Sequence, residues 1–125
     1  MGAQPNKGPH KEGSSSCPMD FILRLLMGPW TTYVVYNLRT YGPQRFGELK
    51  RRVGDVSAKM LTERLRTLES AGLVSRDYEA TIPPKVTYTL TERGHELDKV
   101  LDRLGEIGTR WEAEDAKGRS LKAAE

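Results

Sequence analysis

QRFGELKRRVGDVSAKMLTERLRTLESAGLVSRDYEATIPPKVTYTLTERG, residues 44–94, carries in order the local signatures of a helix, a tight turn, a second helix and a β-hairpin. Phe46, Leu49 and Val53 recur at helical spacing until Gly54-Asp55 breaks the pattern. Ser57 offers an N-cap oxygen to a new helix whose stripe is Leu61, Leu65 and Leu68. Gly72 ends that helix, because glycine takes the left-handed C-terminal position without a Cβ clash. Two β-branched and aromatic runs follow, Val74 to Glu79 and Val86 to Leu90, with Pro83-Pro84 turning the chain between them.

This order predicts an α+β fold of the winged helix-turn-helix type, mainly helical with the hairpin as wing. A unit of this shape binds duplex DNA, its second helix entering the major groove. The DNA-binding unit spans about 44–94.

Working outward, residues 1–16 are rich in Gly, Pro, Ser, Lys and Gln and nearly devoid of large apolar side chains, so a disordered tail is predicted there. Pro18 fits the first position of a helix over about 18–27, with Phe21, Ile22, Leu25 and Leu26 on one face and Gly28-Pro29 as its stop. A second helix runs from about Trp30 to Thr40. Trp30, Tyr33, Val34, Asn37, Leu38 and Tyr41 give it a broad face expected to pack in the core.

From Thr91-Glu92 one long helix is predicted over about 92–111, with Leu97, Val100, Leu101, Leu104, Ile107 and Trp111 at spacings of three and four. Past Glu112 charge and alanine take over, and 112–125 is expected to fray, leaving 17–111 as the domain. The apolar stripe outruns what a small domain can cover, so its far end needs another surface. A twofold partner supplies one most simply. Phe21, Ile22, Leu25, Leu101, Leu104 and Trp111 are the candidate dimer contacts. The alternative is that both outer helices only close the monomer core.

At 125 residues the chain is one domain without room for a catalytic one. Residues 44–93 hold ten Lys/Arg against seven Asp/Glu, whereas 94–125 hold six against eight, so the positive excess falls where a phosphate backbone would lie. No apolar run is long enough to span a membrane and no signal peptide is evident, which reads as a cytosolic protein. His10 and His95 are the only histidines, no cluster has metal-ligand spacing, and no glycine-rich phosphate loop follows a strand. No enzyme, metal or cofactor is expected.

On the helix from Ser57 to Ala71 the leucines define the opposite face, which carries Lys59, Thr62, Glu63 and Arg66. Lysine reaches guanine acceptors, threonine donates or touches a thymine methyl, glutamate accepts from cytosine, and arginine grips guanine or phosphate. The N-terminal part of a recognition helix meets the bases, which favours Ser57, Lys59, Thr62 and Glu63 as readers. Arg64 and Arg66 then suit the backbone. A solvated face with an intrahelical Glu63–Arg66 pair is the plainer alternative.

In the wing, Lys85 beside the proline turn is positioned for a phosphate. Arg76 can do the same, although alternation with Val74 and Tyr78 suggests a partly covered face. Arg45 and Lys50 are further phosphate candidates, and in Lys50-Arg51-Arg52 only one or two can point toward DNA.

Cys17 precedes Pro18 at the start of the first helix, where unpaired N–H groups favour a thiolate and Asp20 opposes it. It is either an inert, half-exposed thiol or a sensor of oxidants and electrophiles.

The chain resembles the HxlR-type winged-helix transcription regulators, relatives of the MarR type. The resemblance rests on Cys17-Pro18, Gly28-Pro29-Trp30-Thr31, Arg45-Phe46-Gly47-Glu48-Leu49, the run from Ser57 to Arg66, Ala71-Gly72-Leu73-Val74, Pro83-Pro84-Lys85-Val86-Thr87-Tyr88 and Leu90-Thr91-Glu92-Arg93-Gly94. It covers about Cys17 to Leu104. It implies a bacterial or archaeal homodimer joined by its outer helices, with the Lys59 to Arg66 face in the major groove. It also implies redox sensing by Cys17, since members of this family include sensors of disulfide stress, quinones, aldehydes and hypochlorite, many of which use the N-terminal cysteine that aligns with Cys17. Two-cysteine members pair it with a second cysteine on the other subunit, which this chain lacks. Oxidation would therefore join Cys17 to Cys17 across the dimer, with Cα atoms within ~7 Å, or cap it with a small thiol.

The expected partners are a second copy, double-stranded DNA in the form of a pseudo-palindromic operator with half-sites ~10 bp or a multiple apart, and a small oxidant or electrophile as signal. Repression is expected, since a bound dimer blocks polymerase without further contacts. The rival functions are a winged-helix protein-interaction module and a DNA-binding regulator controlled by a small molecule near Trp30, Tyr33 or Trp111.

Overall fold

A computed structural model describes residues 17–124; the tail expected over 1–16 lies outside the described residues. The elements are α1 (Pro18–Leu26), α2 (Thr31–Tyr41), β1 (Gln44–Arg45), α3 (Phe46–Val53), α4 (Ala58–Ser70), β2 (Val74–Glu79), β3 (Lys85–Leu90), α5 (Glu92–His95) and α6 (Asp98–Ala124). Helices α2, α3 and α4 surround one core whose fully buried members include Val34, Leu38, Leu49, Leu61, Leu65 and Leu68. The leucines predicted to face inward from α4 do so.

The caps explain the boundaries. Ser57 Oγ accepts the Met60 N–H at 3.0 Å, and Gly72 takes φ +84° just past α4. Thr91 Oγ1 accepts the Gly94 N–H at 3.1 Å and donates to the Gly72 carbonyl at 2.6 Å, so one hydroxyl ties the start of α5 to the end of α4.

The sheet is antiparallel in the order β1-β3-β2, with Val74 opposite Leu90, Arg76 opposite Tyr88 and Glu79 opposite Lys85. Its edge strand β1 pairs Gln44 with Tyr88 and Arg45 with Thr87, and sequence periodicity does not reveal it because two residues show no alternation. Gln44 is nonetheless fixed, being buried with its Nε2 donating to the Asn37 and Gly42 carbonyls at 3.0 and 3.2 Å.

Three expectations need correction. The single helix after the hairpin is two: Glu96 N–H and Leu97 N–H reach back only three residues, to the Arg93 and Gly94 carbonyls, and this tighter turn re-aims the chain before α6. Gly94 must stay against the hairpin, where an added Cβ would meet the Leu73 carbonyl at 2.5 Å, while Leu97 and Leu101 turn back onto the core. The segment from 112 does not end the helix, since α6 continues to Ala124. On α2 the broad face is divided: Val34, Asn37 and Leu38 are buried, but Tyr33 and Tyr41 are more than half exposed. Trp30 is itself outside the helix, its N-cap residue with φ +68°, and packs its ring 5.5 Å from Tyr33.

Candidate nucleic-acid interface

Helix α4 presents Lys59 and Arg66 to solvent, with Thr62 and Glu63 half-buried between them. Ser57 stands at the N-terminal end of this face, its oxygen engaged in the cap. Thr62 Oγ1 donates to the Ala58 carbonyl at 2.8 Å, which leaves its methyl and its oxygen lone pairs for a ligand. Glu63 pairs at 3.9 Å with Arg64 rather than with Arg66, and Arg66 is exposed.

A groove separates this face from the wing. Thr62, Leu65, Arg66 and Glu69 line it from α4, and Arg76 and Tyr88 from the sheet. Arg76 is exposed, not partly covered as the alternation suggests, because burial on β2 ends at its start: Val74 is buried, Ser75 half-buried and every residue from Arg76 to Glu79 exposed. Lys85 is exposed at the start of β3, with Glu79 across the ladder from it. Arg66 on α4 and Arg76 on the sheet thus put one cation on each side of a groove that also holds Glu69, with Lys85 farther out on the wing; cations so placed suit a phosphodiester backbone.

The other predicted cations separate. Arg64 lies next to the leucine stripe on the flank facing the α1–α2 turn. Its Nη1 sits 2.8 Å from where a Cβ on Gly28 would be, its side chain is only 21% exposed, and its Nε is buried without a partner. It does not join Arg66. Arg52 is exposed but tied to the fold: Nη1 donates to Gln44 Oε1 at 3.0 Å, the guanidinium stacks 4.3 Å above the Tyr41 ring, and the side chain lines the open groove between α2 and α6. Arg45 is exposed at the N-cap of α3 with its N–H bonded to Glu48, and Lys50 is half-buried.

The outer helices carry unpartnered apolar surface. No residue of α1 is buried. Phe21, Leu104 and Trp111 are each more than half exposed, whereas Leu25 and Leu101 rest partly on the chain's own core and Ile22 is half-buried. Tyr33, Tyr36 and Tyr41, which sequence reasoning did not assign to this surface, line an open groove between α2 and α6 together with Leu101, Leu104, Gly105 and Gly108. Cys17 is exposed at the N-cap of α1, its carbonyl accepting the Asp20 N–H at 3.0 Å. Among the described residues no group of three His, Cys, Asp or Glu side chains can hold a metal ion, and no helix is long and apolar enough to cross a membrane.

A buried helix-turn-helix core, an outward cationic face on its second helix and a three-stranded sheet ending in a basic wing define a winged-helix DNA-binding protein. An HxlR-like helix-turn-helix family model matches residues 25–116, and the chain belongs to that family of transcriptional regulators. It is 36% identical over 122 residues to the HTH-type transcriptional regulator sll1512 of Synechocystis sp., an alignment covering 98% of this chain and 90% of that one. Among solved structures it is similar to the redox regulator HypR in its oxidised form, with TM-score 0.69, 36% identity and coverage of 75% of this chain and 96% of that one. It is also similar to the reduced form of the transcriptional regulator YodB from Bacillus subtilis, with TM-score 0.66, 36% identity and coverage of 74% and 90%. The protein is a DNA-binding transcriptional regulator.

Proposed function

We propose that this regulator is a homodimeric repressor of a pseudo-palindromic operator, with Ser57, Lys59, Thr62 and Glu63 facing bases and Arg66, Arg76 and Lys85 holding the backbone. Arg45 and Lys50 supply flanking phosphate contacts. The observation that carries this reading is the groove between α4 and the wing, with Arg66 on one side and Arg76 on the other, while the opposite side of α4 is buried leucine. The exposed aromatic and aliphatic surface of α1, α2 and α6 supports a second copy as its cover.

Cys17 is the proposed thiol switch. Its exposure at the end of α1, and the redox chemistry named for HypR, support this role. An oxidant that takes two electrons and two protons from a pair of Cys17 thiols leaves a disulfide across the dimer. A peroxide or hypochlorite instead gives a sulfenic acid, which a small thiol converts to a mixed disulfide with loss of water.

Both halves are tested by fluorescence anisotropy on a duplex recovered by the wild type from a randomised pool. Salt-dependent binding by a dimer is expected, with diamide changing the affinity of the wild type and not of Cys17→Ser. Equal responses of the two proteins would remove the sensor role, and absence of salt-sensitive duplex binding would remove the DNA reading.

A further inference from the structure

Arg39 lies on α2, near the point where the chain breaks between α5 and α6. Its Nε is 3.3 Å from Asp98 Oδ1, and its Nη2 hydrogen-bonds Asp102. Asp98 and Asp102 are one turn apart on α6, so the two carboxylates face the same way and hold one guanidinium between them. Asp98 is itself steadied from α5, where His95 Nδ1 lies 3.1 Å from Oδ2. Three elements thus meet at Arg39, the side chain of which is three-quarters buried.

Little else directs α6. Leu97 and Leu101 rest on the core at its start, and beyond them an open groove separates it from α2. The ion pairs of Arg39 are the polar links between α2 and α6 among the described residues. Helix α6 has 27 residues, which at the α-helical rise is about 40 Å. A tilt of about 10° at its base therefore moves its far end by roughly 7 Å, twice the rise of a DNA base pair.

We propose that Arg39, gripped by Asp98 and Asp102, sets the angle at which α6 leaves the winged-helix unit, and so the separation of the two recognition helices in the dimer. Arg39 is a positioning residue that selects operator half-site spacing without touching DNA. This rests on the dimeric DNA-binding reading. A duplex with two half-sites gains affinity over one half-site only while both recognition helices can seat at once, and that gain is lost when the geometry between them loosens.

The experiment uses the full chain and the duplex recovered by the wild type, remade with its half-sites moved apart or together by one or two base pairs, and a duplex with a single half-site. Arg39→Ala is expected to keep the dimer mass and the single half-site affinity. Its preference for the selected spacing over the shifted ones should fall about tenfold. Reversing the charges, with Arg39→Glu, Asp98→Asn and Asp102→Arg together, should recover part of the preference. An unchanged spacing preference in Arg39→Ala would overturn the clamp alone, as would an equal loss at every spacing and at the single half-site, which marks a merely structural role. A wild type that binds no duplex would overturn the regulator reading and the clamp with it.

Discussion

Arg52 and Gln44 are joined by a hydrogen bond of 3.0 Å between Nη1 and Oε1, and this bond settles the direction of a side chain that sits in a run of three cations. Gln44 uses its other polar atom on the Asn37 and Gly42 carbonyls, so α2, β1 and α3 converge on one buried amide. Arg52 also covers Tyr41, which makes it part of the framework.

Arg52→Ala leaves Gln44 Oε1 without its donor in a buried position and is expected to lower stability by about 1–3 kcal/mol. Urea denaturation reads this. The dependence of DNA affinity on salt should stay as in the wild type, because no phosphate contact is lost.

The contrast between Arg64 and Arg66 is testable in the same assay. Arg66→Ala should reduce the slope of log affinity against log salt by about one unit, since one cation leaves the phosphate rim. Arg64→Ala should leave that slope intact and lower the midpoint of unfolding, because its guanidinium fills the space beside Gly28.

Gly94 is a packing requirement. A Cβ there would stand 2.5 Å from the Leu73 carbonyl, a backbone atom that cannot yield without moving the strand, and 2.7 Å from the buried Leu90 side chain. Gly94→Ala is expected to destabilise the protein by about 1–3 kcal/mol in thermal or urea unfolding.

The parts legible in the sequence are those held by local chemistry. Helix α4 is written in its leucine spacing, the Ser57 cap and Gly72, and the structure has all three roles. The break at Glu96-Leu97 is not, because Leu97, Leu101 and Leu104 keep helical spacing from the break onward, whereas the close fit of Gly94 against Leu73 and Leu90 just before it depends on distant strands. Burial of Gln44 is likewise invisible, since its partners lie on other elements. Tyr33 and Tyr41 read as core because tyrosine is apolar enough to qualify; only the position of α6 decides that they line a groove. Helical spacing puts Arg66 and not Arg64 on the face opposite the leucines, but that the Arg64 side chain is covered beside Gly28 depends on the distant α1–α2 turn.

Lys85→Ala, by contrast with changes on α4, should weaken binding to all duplexes alike and flatten the salt dependence, because the wing rim meets phosphate and carries no base information. Anisotropy on the selected and on a scrambled duplex separates the two effects.

We propose that the exposed face of α4 reads sequence. The most direct measurement is the ratio of affinities for the selected duplex and for one with a half-site base pair exchanged, in the wild type, Lys59→Ala and Thr62→Ala. A loss of about 1–3 kcal/mol of discrimination in the variants is expected at the contacted position, with binding to scrambled DNA nearly unchanged. Discrimination that survives both substitutions intact would show that another surface reads the bases.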